Sequence, residues 1–403
     1  MKTSFAPRTL SLALAALLTA GSVMAQSDPV VLSFSTVGDS RQDSSSSKVD
    51  PTQAPLSGQD AHWLQNSKAW SRIMREVSAK KSNLLFFNGD MVMGYGDAGP
   101  VSATDVTSVL NSDLVKFHTQ YAFWRGMVAP LIENGTYVVP VPGNHETQCN
   151  SANTTCLDAN GNNLSAVNGG KNAVKVNEDA WRANMADLIV DATRLNNTLP
   201  GGLTVTNVDN TDHASVDSLT TPQNQLSYSF DVGNSHFAVI NTDPTGGDST
   251  APSAWLAADF SAASGRGAQH FFVFGHKPAY TYDFTGNGGK AGGLDAIPAK
   301  RNTFWNVIEQ YGAAYFCGHQ HTFNMRQPVK ADGTTSTAWQ VIVGSGGSPF
   351  DVKQTAANQQ PYDRYYAWAN VRVFQSGKVQ IDAYGFSDGF GATKLLQSAV
   401  LAH

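Results

Sequence analysis

Charge is scarce in this chain. Lys, Arg, Asp and Glu make up 15% of the 403 residues, and acidic residues outnumber basic ones 32 to 27, for a net charge of −5. Nucleic-acid binding needs a basic footprint, so this balance argues against it. Cysteine is scarcer still, with three residues. No internal repeat is present, and past the N-terminus no apolar stretch approaches the ~20 residues that a bilayer span requires. The low charged fraction, with abundant Asn, Thr, Ser and Gly, fits an extracytoplasmic protein better than a cytosolic one.

The N-terminus points the same way. Lys2 and Arg8 precede an apolar run from Leu10 to Thr19, and Val23-Met24-Ala25 offers small residues at the cleavage positions. This is the form of a secretory signal peptide cut after Ala25, which predicts a periplasmic or secreted protein. No cysteine follows the cut, which argues against a lipoprotein. In an oxidising compartment Cys149 and Cys156, close together in a polar loop, are expected to form a disulfide. Cys317 ends an apolar run and reads as a buried, inert thiol.

What is present is a recurring pattern. Five apolar runs (Val30–Val37, Leu84–Phe87, Tyr137–Val141, Phe271–Phe274 and Ala313–Cys317) have the length and composition of buried strands. Each is followed by metal-binding residue types: Gly38-Asp39 with Ser40-Arg41, Gly89-Asp90, Gly143-Asn144-His145-Glu146, Gly275-His276-Lys277-Pro278, and Gly318-His319-Gln320-His321. In an open α/β sheet, ligands collect beyond the carboxyl ends of the strands, so these tips should converge. Carboxylates, an amide oxygen and imidazoles without thiolate form a hard-to-borderline set suited to Mn, Fe or Zn. They are more than one ion needs, and the simplest reading is a two-metal hydrolase.

At these residues, in this order, the chain resembles the calcineurin-like metallophosphoesterase superfamily, which includes the purple acid phosphatases and many bacterial phosphodiesterases. The resemblance runs from about Val30 to the C-terminus. It implies an α/β (α+β) fold, a four-layer αββα sandwich of two mixed β-sheets flanked by helices. It also implies hydrolysis of phosphate mono- or diesters by a metal-activated hydroxide in a dinuclear site, with a small phosphorylated substrate. Asp90 would bridge the ions. Asn144, His276 and His319 would complete metal 2, and Asp39 and His321 would hold metal 1 with Asp90. His145 would hydrogen-bond the phosphoryl oxygen and help protonate the leaving group.

Two positions depart from that pattern. Members commonly have a histidine two residues after the first aspartate, and here Arg41 stands there. Purple acid phosphatases have a tyrosine three residues after the second aspartate, and here Met93 stands there, with Tyr95 nearby but off the spacing. Metal 1 is thus one protein ligand short of either pattern. Arg41 is expected to point into the same cavity and offer a two-pronged donor to phosphate. The alternative function is a metal-supported binding protein with a degenerate metal 1 site. Retention of His145, which metal binding does not need, favours the enzyme.

The rest of the chain reads as one catalytic domain, residues 26–403. Helical spacing covers Ala61–Lys80, Asp105–Glu133 (with a break at Pro130) and Arg301–Tyr311. A hairpin is expected through Gly233-Asn234. An Asn/Thr/Gly-rich insertion at about 148–224 has poor strand signals and one helix at Glu178–Arg194; lid and remote decoration are both open for it. Trp339–Gly344, Tyr365–Phe374 and Val379–Gly385 read as antiparallel strands. Oligomeric state is not legible.

Overall fold

The computed structural model describes residues 28–41, 67–152, 154–158, 160–164, 170–283, 292–353 and 360–401. The expected signal peptide and its cleavage site lie outside these residues, as does the start of the helix expected from Ala61.

Fifteen strands occur among the described residues. One sheet contains β1 (Val30–Val37), β2 (Leu84–Asn88), β3 (Tyr137–Val141), β13 (Tyr365–Phe374), β14 (Val379–Ser387) and β15 (Lys394–Leu401), in the order β15-β14-β13-β1-β2-β3. The other contains β6 (Val205–Asp209), β7 (Tyr228–Val232), β8 (Ser235–Val239), β9 (His270–Phe274), β10 (Ala314–Cys317), β11 (Phe323–Arg326) and β12 (Trp339–Val343). Its order is β11-β12-β10-β9-β8-β7-β6. A small antiparallel pair, β4 (Gln148–Asn150) with β5 (Lys171–Ala173), completes the set.

The four layers follow from side-chain alternation along single strands. On β2, Phe86 faces the second sheet and stacks on Phe274 at 3.6 Å between ring centroids. Its neighbour Phe87 points the other way, onto Trp70 of helix Ser67–Lys80 and Trp124 of helix Asp113–Glu133. On β9, Phe274 and Phe272 face inward while Phe271 meets Phe260 of helix Ser253–Gly265. On β10, Tyr315 meets Phe304 of helix Pro298–Gln310. Phe34 of β1 sits at the centre, with its ring 4.9 to 5.7 Å from those of Phe86, Phe237, Phe272, Phe274 and Phe316. Edge-on contacts of this kind add to the area burial that joins the sheets. This is the expected αββα sandwich of two mixed sheets.

The sandwich sets the site by register. β1, β2 and β3 pair in parallel, with Val37 opposite Phe87 and Phe87 opposite Pro140. β8, β9, β10 and β12 are also parallel, with Phe274 opposite Phe316 and Cys317 opposite Ile342. The carboxyl ends of both parallel sets therefore finish level.

Some expectations are corrected. The long helical stretch breaks at Asn111–Ser112 rather than Pro130: Ser112 caps the second helix by accepting from Val115 N, and Pro130 lies inside it. A proline ring crowds the carbonyl four residues earlier, yet the helix ends only at Glu133, less than one turn beyond Pro130. β12 pairs antiparallel with β11, as expected, but parallel with β10, a direction that its buried Val-Ile-Val run does not reveal. β11 and β15 were not expected. The insertion contributes β4, β5 and β6, and its helix is Lys175–Met185, followed by a 3-10 turn and the short helix Ala192–Asn196 capped by Asp191. The hairpin through Gly233-Asn234 is present. No helix among the described residues is long and apolar enough to cross a membrane.

Candidate active site

The chain leaves three strand ends by the same unusual step. Asp39, Asp90 and His319 have left-handed backbones, with φ of 61°, 57° and 68°. Side chains with a Cβ rarely adopt this region, and non-glycine residues held there cluster at functional sites. The tight fit is enforced by glycine: a Cβ on Gly318 would lie 2.1 Å from Asp39 Oδ2, and one on Gly94 1.6 Å from the His145 carbonyl oxygen. Sharp turns bring Asp39, Arg41, Asp90, Asn144, His145, His276, His319 and His321 together. All are buried except His319, which is half-buried.

One group converges at contact distance. His276 Nε2 lies 2.8 Å from Asn144 Oδ1 and 3.1 Å from Asp90 Oδ1. His319 Nδ1 lies 2.9 Å from Asn144 Oδ1 and 3.3 Å from His276 Nε2. His276 Nδ1 donates to the Asn88 carbonyl at 2.7 Å, so in the neutral ring Nε2 carries a lone pair. Ligand-type atoms of four side chains thus lie about 3 Å apart, close to the spacing of atoms that each sit ~2.0–2.2 Å from one cation. Electrostatics agree: although burial works against it, the charge of Asp90 raises His276 to about 9, so the cluster draws in positive charge. His319 moves the opposite way, held well below the usual imidazole range by burial and by His276 and Lys277.

A second group differs. Asp39, Asp90 and His321 offer ligand atoms within 4.8 Å of one another. His321 Nδ1 donates to the Pro349 carbonyl at 2.7 Å, leaving Nε2 as acceptor. Arg41 already engages these groups: its Nε donates to Asp90 Oδ2 at 3.2 Å and its Nη2 lies 3.4 Å from His321 Nε2. Arg41 Nη1 also reaches Met93 Sδ at 4.0 Å. Burial opposes charge on Asp90, but His145, His276 and Arg41 hold its carboxyl well below the carboxylate range. Burial raises that of Asp39, with the His321 bond acting against it.

His145 donates Nδ1 to the Met93 carbonyl and turns Nε2 toward Asp90 Oδ2, 3.7 Å away. Burial, then the charge of Arg41, keeps its pKa well below that of a free imidazole. Glu146, read from sequence as orienting a neighbour or capping the turn, ties the turns together. Its Oε2 accepts from Asp90 N and Gly143 N, and its Oε1 from Met91 N and Val92 N, at 2.7 to 3.1 Å. Glu146→Ala is expected to leave these buried N–H groups without acceptors and to destabilise the metal-free protein by at least ~3 kcal/mol. Chemical denaturation measures this, and an unchanged midpoint would refute the role.

Other residues had weaker signals. Tyr95 meets both Asn144 and His145, although no periodicity marks it. Asp243, four residues past the end of β8 and without the glycine step of the five segments above, pairs with Lys277 Nζ at 2.5 Å. Asp351 Oδ2 accepts from His321 N at 2.9 Å across a loop with no strand-end setting. The Cys149–Cys156 disulfide is formed and Cys317 is buried, as expected.

A family model for calcineurin-like phosphoesterases matches residues 60–323. No curated protein matches the sequence significantly. A purple acid phosphatase from yellow lupin (Lupinus luteus) seeds is similar in structure, with TM-score 0.52 and 12% identity over 93% of this chain. This chain spans about half of the lupin protein, 54% of its length. A dimetal phosphatase from Danio rerio aligns with TM-score 0.48 and 10% identity, covering 93% of this chain and 99% of its own. At 12% identity the lupin likeness shows the fold alone. The family model covers more than half of the sequence, and the chain belongs to the calcineurin-like phosphoesterase family.

Proposed function

We propose that this protein hydrolyses phosphate mono- or diesters with metal ions held by Asp39, Asp90, Asn144, His276, His319 and His321, within a single catalytic domain. The observation that carries the reading is the convergence of one ligand-type atom each from Asp90, Asn144, His276 and His319, with neighbouring atoms 2.8 to 3.3 Å apart. Burying such polar atoms together is costly unless a proton or a cation joins them. Mn, Fe or Zn suits this oxygen and nitrogen set. A bound divalent ion supplies Lewis acidity, lowering the pKa of water and neutralising charge on a phosphoryl oxygen.

The chain's own groups do the rest. Asp90 is placed to bridge the two ligand sets, since Oδ1 faces His276 and Oδ2 faces Arg41. His145 is fixed by Met93 in the tautomer that leaves Nε2 for the substrate side, where it can hydrogen-bond a phosphoryl oxygen or pass a proton to the leaving group. The second ion, on Asp39, Asp90 and His321, binds more weakly, because the Arg41 guanidinium competes for Asp90 Oδ2 and His321 Nε2. That competition is also what would favour the alternative, a metal-supported binding protein. Turnover of p-nitrophenyl phosphate and bis-p-nitrophenyl phosphate by purified protein, with added Mn or Zn, separates the two readings. Hydrolysis of either supports the enzyme; no turnover of both after metal loading supports the binder.

A loaded iron form is expected to lack the visible band of a tyrosinate ligand. Met93 offers no phenol, and the Tyr95 hydroxyl is occupied by the Asn144 amide. A coloured preparation that bleaches on Tyr95→Phe would contradict this.

A further inference from the structure

Tyr95 sits on a segment folded tightly over the proposed catalytic turn. Its backbone is left-handed, with φ of 61°, and the preceding Gly94 lies against the His145 carbonyl with no room for a Cβ. The strained conformation is held from outside. Asn150 N donates to the Tyr95 carbonyl at 3.0 Å, and Tyr95 forms an isolated β-bridge with Cys149. The Cys149–Cys156 disulfide closes the loop on which both of those residues sit. From the insertion, Lys171 lays its ammonium 4.2 Å from the centre of the Tyr95 ring.

Two contacts face inward. The Tyr95 hydroxyl accepts from Asn144 Nδ2, on the amide whose Oδ1 faces His276 and His319. The ring lies against that of His145, with centroids 3.8 Å apart and planes at 46°. A carboxamide can present either its oxygen or its NH2, and only the oxygen ligates a metal. When Oδ1 faces the ion, the buried NH2 needs an acceptor, and the Tyr95 hydroxyl is the acceptor in place.

Resting on the reading of Asn144 as a metal ligand, we propose that Tyr95 is a positioning residue with two separable parts. The hydroxyl holds the Asn144 amide in its ligating orientation, and the ring holds the His145 imidazole at its working angle. The disulfide-closed root of the insertion keeps Tyr95 in its left-handed turn, which gives that segment a role at the site. Partners that orient a metal ligand from behind commonly change metal affinity ~10–100-fold when removed.

The two parts predict different variants. Tyr95→Phe keeps the ring and removes the hydroxyl. Titration of metal-free protein with Zn²⁺ should then show affinity weaker by ~10–100-fold, while kcat at saturating Zn²⁺ stays within about threefold and the thermal midpoint of the metal-free protein does not move. Tyr95→Leu removes the ring as well and should lower kcat at saturating Zn²⁺ in addition, with a changed pH profile. A purely structural tyrosine would lower the midpoint in both variants without separating metal affinity from kcat. Wild-type Zn²⁺ affinity in the Phe variant overturns the positioning role. Absence of Zn²⁺ binding by the wild type would instead overturn the metal reading of Asn144, and this proposal with it.

Discussion

Replacing Asn144 or His319 with alanine is expected to remove most of the bound metal and nearly all phosphoesterase activity, while the fold persists. Both side chains belong to the cluster of closely spaced ligand-type atoms. Asn144 Oδ1 stands between the two imidazoles, at 2.8 Å from His276 and 2.9 Å from His319. Removing either group takes away a ligand. Catalytic sites that keep open positions have few protein ligands, and each matters. Charge stabilisation of a phosphoryl transition state is worth several kcal/mol, so a loss of turnover of at least ~10³-fold is expected. Metal analysis and steady-state turnover on the same preparation check this. Normal metal content with normal turnover would show that the cluster is not the metal site.

The part of this site that could be read from sequence was the part built on parallel strands. Strands buried on both faces read as continuous apolar runs, and β2, β3, β9 and β10 are buried throughout. Polar residues immediately after such runs stand out, which is how Asp39, Asp90, Asn144, His276, His319 and His321 could be named. Tyr95 could not be found in this way. Its place depends on a left-handed turn after Gly94 and on a backbone bond from Asn150, both set by tertiary contacts. Glu146 was visible, but its use as an anchor for four backbone N–H groups was not, because those donors come from two separate turns. Strand direction was lost for the same kind of reason. The β12 run Val341-Ile342-Val343 is apolar whether its neighbour is parallel or antiparallel, and only the chain path from β10 through β11 decides.

Arg41→His is expected to raise the metal content of the protein toward two ions per chain and to lower kcat/KM under metal-limited conditions less than Arg41→Ala does. The guanidinium is buried and neither exposed nor remote from the cluster. It lies on the two acceptors, Asp90 Oδ2 and His321 Nε2, that a second ion would need. A fixed positive charge there opposes a divalent cation, and swapping it for neutral imidazole removes the repulsion while adding a nitrogen ligand. Affinity for the second ion should rise by more than tenfold, or ~1.4 kcal/mol. The same guanidinium, planar and permanently charged, is suited to bind phosphoryl oxygens. If it stabilises the transition state, Arg41→Ala at saturating metal should cost ~10²–10³ in turnover, the scale of removing one preorganised donor. The histidine variant then separates the roles. Gain of an ion with recovered turnover would mean that the second cation and the arginine supply the same charge. Gain of an ion without recovery would mean that the arginine's geometry at the phosphate matters in itself. Arg41→Ala leaving both metal stoichiometry and kcat/KM unchanged would remove the arginine from the mechanism and leave it as a buried partner of Asp90.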